Sequence, residues 1–156
     1  MTGRTSVIIR PGVAGDLSAV RRVFRNASLS NSGDREVLLE HPWALEFEVA
    51  QLTGGHCRVA VEPGGEVVGF ATAVPDDGGL ELEDLFVDPS WMRRGVARRL
   101  IADVVDRARA LGVGKVMVTG NPHAADFYAA IGFRVDGVAQ TEFGEAPRLR
   151  LDVQLT

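Results

Sequence analysis

Two turn signals fix the middle of this chain. Pro63-Gly64-Gly65 and Pro75-Asp76-Asp77-Gly78-Gly79 separate three β-rich runs, Cys57 to Val61, Val67 to Val74 and Leu80 to Val87. Connections this short join antiparallel neighbours, because a parallel crossover needs about a dozen residues or more. The centre of the chain is therefore an antiparallel meander. Directly after Asp88-Pro89 comes the strongest helical pattern. Val96, Leu100, Ile101, Val104, Val105, Ala108 and Leu111 share one stripe, with Arg98, Arg99, Asp103, Asp106 and Arg107 largely off it and Gly112 as a stop.

The flanks extend this pattern. Val7 to Arg10 reads as a strand stopped by Pro11-Gly12, and Ala14 to about Ser28 as a helix through Leu17, Val20, Val23, Phe24 and Ala27. Asp34 to Phe47 reads as one or two short helices, broken near His41-Pro42. Lys115 to Thr119 is a strand, Pro122 opens a helix that ends at Ile131-Gly132, and Phe133 to Val138 and Leu149 to Leu155 are closing strands. The order β-α-α-β-β-β-α-β-α-β-β predicts an α+β sandwich: a mixed, mostly antiparallel sheet of six to seven strands with about four helices. The 156 residues are read as one domain, 1–156, and a 46% apolar content supplies a core without a metal or disulfide.

Composition narrows the function. Seventeen basic against 21 acidic residues give a net charge of −4, which disfavours nucleic-acid binding. No apolar run reaches the roughly 20 residues a membrane span needs, and the N-terminal segment lacks a signal-peptide core, so no membrane partner and a cytoplasmic location are expected. The single cysteine, Cys57, is read as a buried strand residue, and His41, His56 and His123 show no metal-ligand spacing, so no metal is expected.

Against this acidic background, Arg93, Arg94, Arg98 and Arg99 crowd into seven residues at a strand-to-helix junction. A helix N-terminus offers amides without intrahelical partners and a partial positive charge, and Gly95 and Ala97 would admit an anion close to the backbone. Chemistry alone points to a phosphate or pyrophosphate ligand; the other reading is an ordinary helix start with a solvated arginine face.

Three segments add weight to the first reading. Met92-Arg93-Arg94-Gly95-Val96-Ala97 resembles the acetyl-CoA-binding motif of the GNAT superfamily of N-acetyltransferases, which is Gln or Arg, two residues, Gly, one residue, then Gly or Ala. Leu82 to Pro89 looks like that family's central strand, and Asn121 to Phe133, with Asn121, Phe127-Tyr128 and Gly132-Phe133, is similar to its later motif. The resemblance covers about residues 57–139 as an acetyl-CoA-binding core, with acceptor-side helices at about 14–50. Met92 departs from the pattern, since its thioether replaces a hydrogen-bonding side chain.

The resemblance implies roles. Arg93, Arg94, Gly95, Val96, Ala97 and Arg98 would hold the pyrophosphate by their backbone, while Leu85, Phe86 and Val87 would pair with the pantetheine arm and Asn121 would contact it. Tyr128 would protonate the departing thiolate. Strand alternation puts Glu81, Glu83 and Leu85 on one face and Leu82, Asp84 and Phe86 on the other. Polyamine acetyltransferases of the superfamily carry a similar Glu-Asp pair, so Glu83 is assigned as general base and Asp84 as a second carboxylate for substrate charge. The expected reaction is direct acetyl transfer from acetyl-CoA to a primary amine, small-molecule or peptide. A non-catalytic acyl-CoA-binding module of the same fold is the alternative, and a homodimer is left open. Asp34, Glu36, Glu40 and Glu46, against Arg35, would give the acceptor side an acidic rim that attracts a cationic amine; the other reading is a solvated helix face.

Overall fold

A computed structural model describes residues 6–30, 49–120, 124–141 and 144–155. The elements run β1 (Ile8–Pro11), a 3-10 turn (Ala14–Asp16), α1 (Leu17–Ser30), α2 (Val49–Thr53), β2 (Cys57–Val61), β3 (Val67–Asp76), β4 (Gly79–Val87), a second 3-10 turn (Pro89–Trp91), α3 (Val96–Leu111), β5 (Lys115–Thr119), α4 (Ala125–Ile131), β6 (Arg134–Thr141) and β7 (Gly144–Asp152). The seven strands form one sheet in the order β1-β2-β3-β4-β5-β7-β6. The β4–β5 pair is parallel, whereas β1–β2, β2–β3, β5–β7 and β6–β7 are antiparallel. This is the mixed, mostly antiparallel sheet that the sequence predicts. The helices expected at 34–47 lie outside the described residues.

The residues group into two compact units, Met1–Thr72 with Asp84–Ile101, and Ala73–Glu83 with Ala102–Thr156. In the first unit, Val20 and Val23 of α1 and Leu52 of α2 pack on Cys57, Val59 and Phe70 of β2 and β3. Phe70 is fully buried, a contribution of roughly 2–3 kcal/mol. Its ring meets Phe24 edge-on at 6.4 Å and Phe86 at 5.6 Å. The other face of β3 needs room: a Cβ on Gly69 would lie 3.2 Å from Val96 Cγ1 and 3.0 Å from the Phe86 carbonyl. Glycine there lets α3 settle against the strand. Arg10 clamps Asp16 through two hydrogen bonds of 2.8 and 3.0 Å, which hold the Asp16 carboxyl below its usual range despite partial burial.

In the second unit, Leu80, Leu82, Val116, Val118 and Leu149 are buried along alternating positions. The parallel ladder joins Leu80 to Val116, Glu81 to Met117 and Leu82 to Val118.

Several boundaries differ from the sequence reading. β1 continues through Pro11, which an edge strand tolerates because proline's missing N–H faces away from the ladder. β3 absorbs Pro75 and Asp76, leaving only Asp77 (φ 50°) and Gly78 (φ 75°) as the turn. Two residues at positive φ match the right-handed twist of a tight hairpin. β7 begins at Gly144, not Leu149, because pairing with β6 overrides weak local propensity. Leu111, counted in the apolar stripe, is exposed.

Just past the end of β4 the Asp88 N–H donates to the Val68 carbonyl at 2.8 Å, and Phe86 near the end of the strand joins Phe24 and Phe70.

Gly79 offers a direct test of packing. A Cβ there would lie 2.8 Å from the Lys115 carbonyl oxygen and 2.6 Å from Lys115 Cγ. Gly79→Ala must displace the β5 backbone, so urea unfolding should show a loss of about 1–3 kcal/mol; an unchanged midpoint would refute the close approach.

Candidate active site

The strand-to-helix junction is built by local geometry. The Asp88 carboxylate accepts from the Ser90 N–H at 3.0 Å and the Ser90 hydroxyl at 2.7 Å, closing the 3-10 turn. Arg93 (φ 64°) and Gly95 (φ 83°) then adopt left-handed backbone. Glycine enters that region freely, whereas at Arg93 it costs about 1 kcal/mol. A Cβ on Gly95 would meet nothing within 4 Å, so the backbone angle is what calls for glycine, and the surface above it is open.

The first ladder bond at this end of α3 runs from the Arg99 N–H to the Gly95 carbonyl at 3.1 Å. The amides of Val96, Ala97 and Arg98 stand outside that ladder, at the positive end of the helix dipole. Val96 is buried and so can contribute only its backbone, while Arg93, Arg94 and Arg98 are exposed. The Arg94 guanidinium lies over the Trp91 ring at 4.8 Å, a cation–π contact that limits its freedom. Met92 is 55% exposed, so its side chain lies outside the core. The loop fits a diphosphate: amides, open space and three cations converge on one short segment.

Along β4, the ladder with β5 ends at Leu82, while the strand continues to Val87. Leu85, Phe86 and Val87 thus continue beyond that pairing; Leu85 and Phe86 are half-buried and Val87 is buried. Asp84 is half-buried.

In the second unit, Glu83 is exposed on β4. Glu81, two residues earlier, is committed elsewhere. Arg148 NH1 donates to Glu81 Oε2 at 2.6 Å and to Thr119 Oγ1 at 3.0 Å, and NH2 donates to Glu81 Oε1 at 3.0 Å. Such a two-bond clamp commits the Glu81 carboxylate to Arg148. Sequence reasoning missed Arg148 because it placed the start of the last strand one residue beyond it. The available signal was the Thr119–Arg148 pairing, which needs the β7 register to be known.

Tyr128 sits on α4, 6% exposed. Its ring contacts Phe127 at 5.3 Å and Phe133 at 5.2 Å, and a Cβ on Gly120 would touch it at 3.6 Å. Burial pushes its hydroxyl up to about 12. Asn121, His41, His123 and the acidic residues expected to rim the acceptor side lie outside the described residues. Among the described residues no three His, Cys, Asp or Glu side chains form a metal-holding group, and no described helix is long and apolar enough to cross a membrane.

Comparison with known proteins agrees with this architecture. A glucosamine 6-phosphate N-acetyltransferase of Trypanosoma brucei brucei is 32% identical over 111 residues, covering 62% of this chain and 76% of that protein. The N-alpha-acetyltransferase RimI of Mycobacterium tuberculosis is 29% identical over 106 residues, covering 64% of this chain and 66% of its own. The crystal structure of the PaiA N-acetyltransferase from Thermoplasma acidophilum, in complex with coenzyme A, superposes with a TM-score of 0.75 at 15% identity, over 94% of this chain and 99% of that one. The sequence pattern of the Acetyltransferase (GNAT) family matches residues 20–133. With most of its length inside that match, the chain belongs to the acetyltransferase (GNAT) family.

Proposed function

We propose that the segment Arg93–Arg98 holds the diphosphate of acetyl-CoA, and that the acetyl group passes directly to a primary amine. The observation that carries this reading is the left-handed turn at Arg93 and Gly95, which leads into three helix amides among exposed arginines. Acetyl-CoA supplies an acyl group already activated as a thioester, so no covalent enzyme intermediate is required. Backbone groups of Leu85, Phe86 and Val87 would pair with the pantetheine arm like an added strand, and one N–H there would polarise the acyl carbonyl. Asn121 would contact the same arm. The proposal includes the cytoplasmic location that the sequence suggests.

The amine must be neutral to attack, and with a pKa near 10.4 only about one alkylamine in 2,500 is neutral at pH 7. Glu83 would accept the proton, since Glu81 is held by Arg148, and Asp84 would carry substrate charge. Tyr128 keeps its proton at any working pH, with its hydroxyl at about 12. A hydroxyl that stays protonated can hydrogen-bond the sulfur as negative charge develops there and give it the proton as it leaves. The relatives named above act on an amino-sugar phosphate and on an α-amine. A thiol-release assay should therefore present glucosamine 6-phosphate, a peptide with a free α-amine and spermidine. Tight acetyl-CoA binding without turnover of any amine would favour the non-catalytic module.

Three variants test the assignments. Gly95→Glu places a carboxylate against the diphosphate; calorimetry should find acetyl-CoA binding abolished in a protein that still melts cooperatively, and normal affinity would remove the loop from the site. Tyr128→Phe should lower turnover by roughly 10²-fold with acetyl-CoA affinity little changed. The turnover profile should also show no basic limb from Tyr128 between pH 8 and about 10, because a hydroxyl at about 12 is still protonated there; wild-type turnover in the variant would assign the hydrogen bond elsewhere. Glu83→Gln should slow transfer at neutral pH and recover partly as pH rises, because more amine is then already neutral. A pH-independent loss would instead mean that Glu83 positions the substrate.

A further inference from the structure

The first unit contains a network that the transfer chemistry does not use. Asp88, the residue between β4 and the 3-10 turn, receives hydrogen bonds from the Ser90 amide and hydroxyl at 3.0 and 2.7 Å and from the Asn26 side chain of α1. Its own N–H is fixed on the Val68 carbonyl. Arg22, one turn before Asn26 on the same face of α1, adds a positive charge toward Asp88. Arg22 also donates to the Val67 carbonyl at 3.0 Å and pairs with Glu66 at 3.3 Å. Burial alone would raise the Asp88 carboxyl, but these partners more than offset it and hold it below its usual range.

A carboxylate five residues before the left-handed turn is an odd neighbour for an anion-binding loop, since its charge opposes the ligand. Its hydrogen bonds give it a different use. The turn Pro89–Trp91 carries the chain into Arg93 and Gly95, and a loop held in its bound shape loses less entropy when ligand arrives.

We propose that Asp88 is a positioning residue shared by the cofactor loop and α1: its carboxylate shapes the turn on which the loop is built and, through Asn26, fastens that turn to α1. This rests on the loop being the diphosphate site. Affinity for acetyl-CoA then depends on Asn26, an exposed residue outside the loop. The dependence passes through Asp88, so the two residues act as one unit.

Calorimetry with acetyl-CoA on wild type, Asn26→Ala, Asp88→Asn and the double variant tests this. Asp88→Asn is isosteric and keeps an oxygen for Ser90, but it loses the charge that faces Arg22 and the second acceptor oxygen. Each single variant should weaken binding about fivefold, the ratio expected for one net hydrogen bond. The double variant should be no weaker than Asp88→Asn alone. Melting curves without ligand separate positioning from plain structure: a lowered melting temperature with unchanged affinity overturns the proposal, as does a multiplicative loss in the double variant. Should Asp88→Asn fail to fold, Asn26→Ala, on an exposed side chain, carries the test alone, and an affinity within twofold of wild type overturns it. Gly95→Glu distinguishes the two levels. Normal binding there removes the loop site and this proposal together, whereas abolished binding with an unaffected Asn26→Ala removes only the role of Asp88.

Discussion

Every backbone amide and carbonyl in a strand needs a partner, and β4 meets that need unevenly along its length. Its first residues are held by β5, through Leu80, Glu81 and Leu82. Past Leu82 that ladder ends, while the chain stays extended to Val87. Phe86, in that later stretch, packs against Phe24 and Phe70, 4.8 and 5.6 Å away. One strand thus combines pairing with β5 near its start and aromatic packing near its end.

The junction after β4 depends on backbone conformation more than on side chains. The arginines attract notice in the sequence; the structure adds two positive φ angles and three amides outside the helical ladder. If amides hold the anion, the loss of one polar side chain beside them, at Met92, leaves the site's main donors in place.

Much of this was legible in the sequence. The meander, α3 and β5 follow from turn residues and apolar period, because hairpins and amphipathic helices are encoded locally. The parts that were not legible depend on long-range pairing. Arg148 is unremarkable until β7 is registered against β5, when it lands beside Glu81, 67 positions away in the chain. Pro11 and Pro75 read as stops but lie inside strands, since position within the sheet decides whether proline's missing N–H matters. Asp88 read as the end of a strand; its hydrogen bond from Asn26 joins residues 62 positions apart.

The two edges of the sheet share a property that bears on how copies of this chain could meet. At one edge, β1 is four residues long and ends in Pro11, which offers no donor. At the other, β6 exposes Val135 and Val138, but the pairing slips between them and Gly137 sits at φ 122°. A kinked strand is a poor template for an incoming one. Neither edge is suited to growing the sheet into a second molecule. The exposed valines therefore carry less risk of edge-to-edge aggregation than their hydrophobicity suggests.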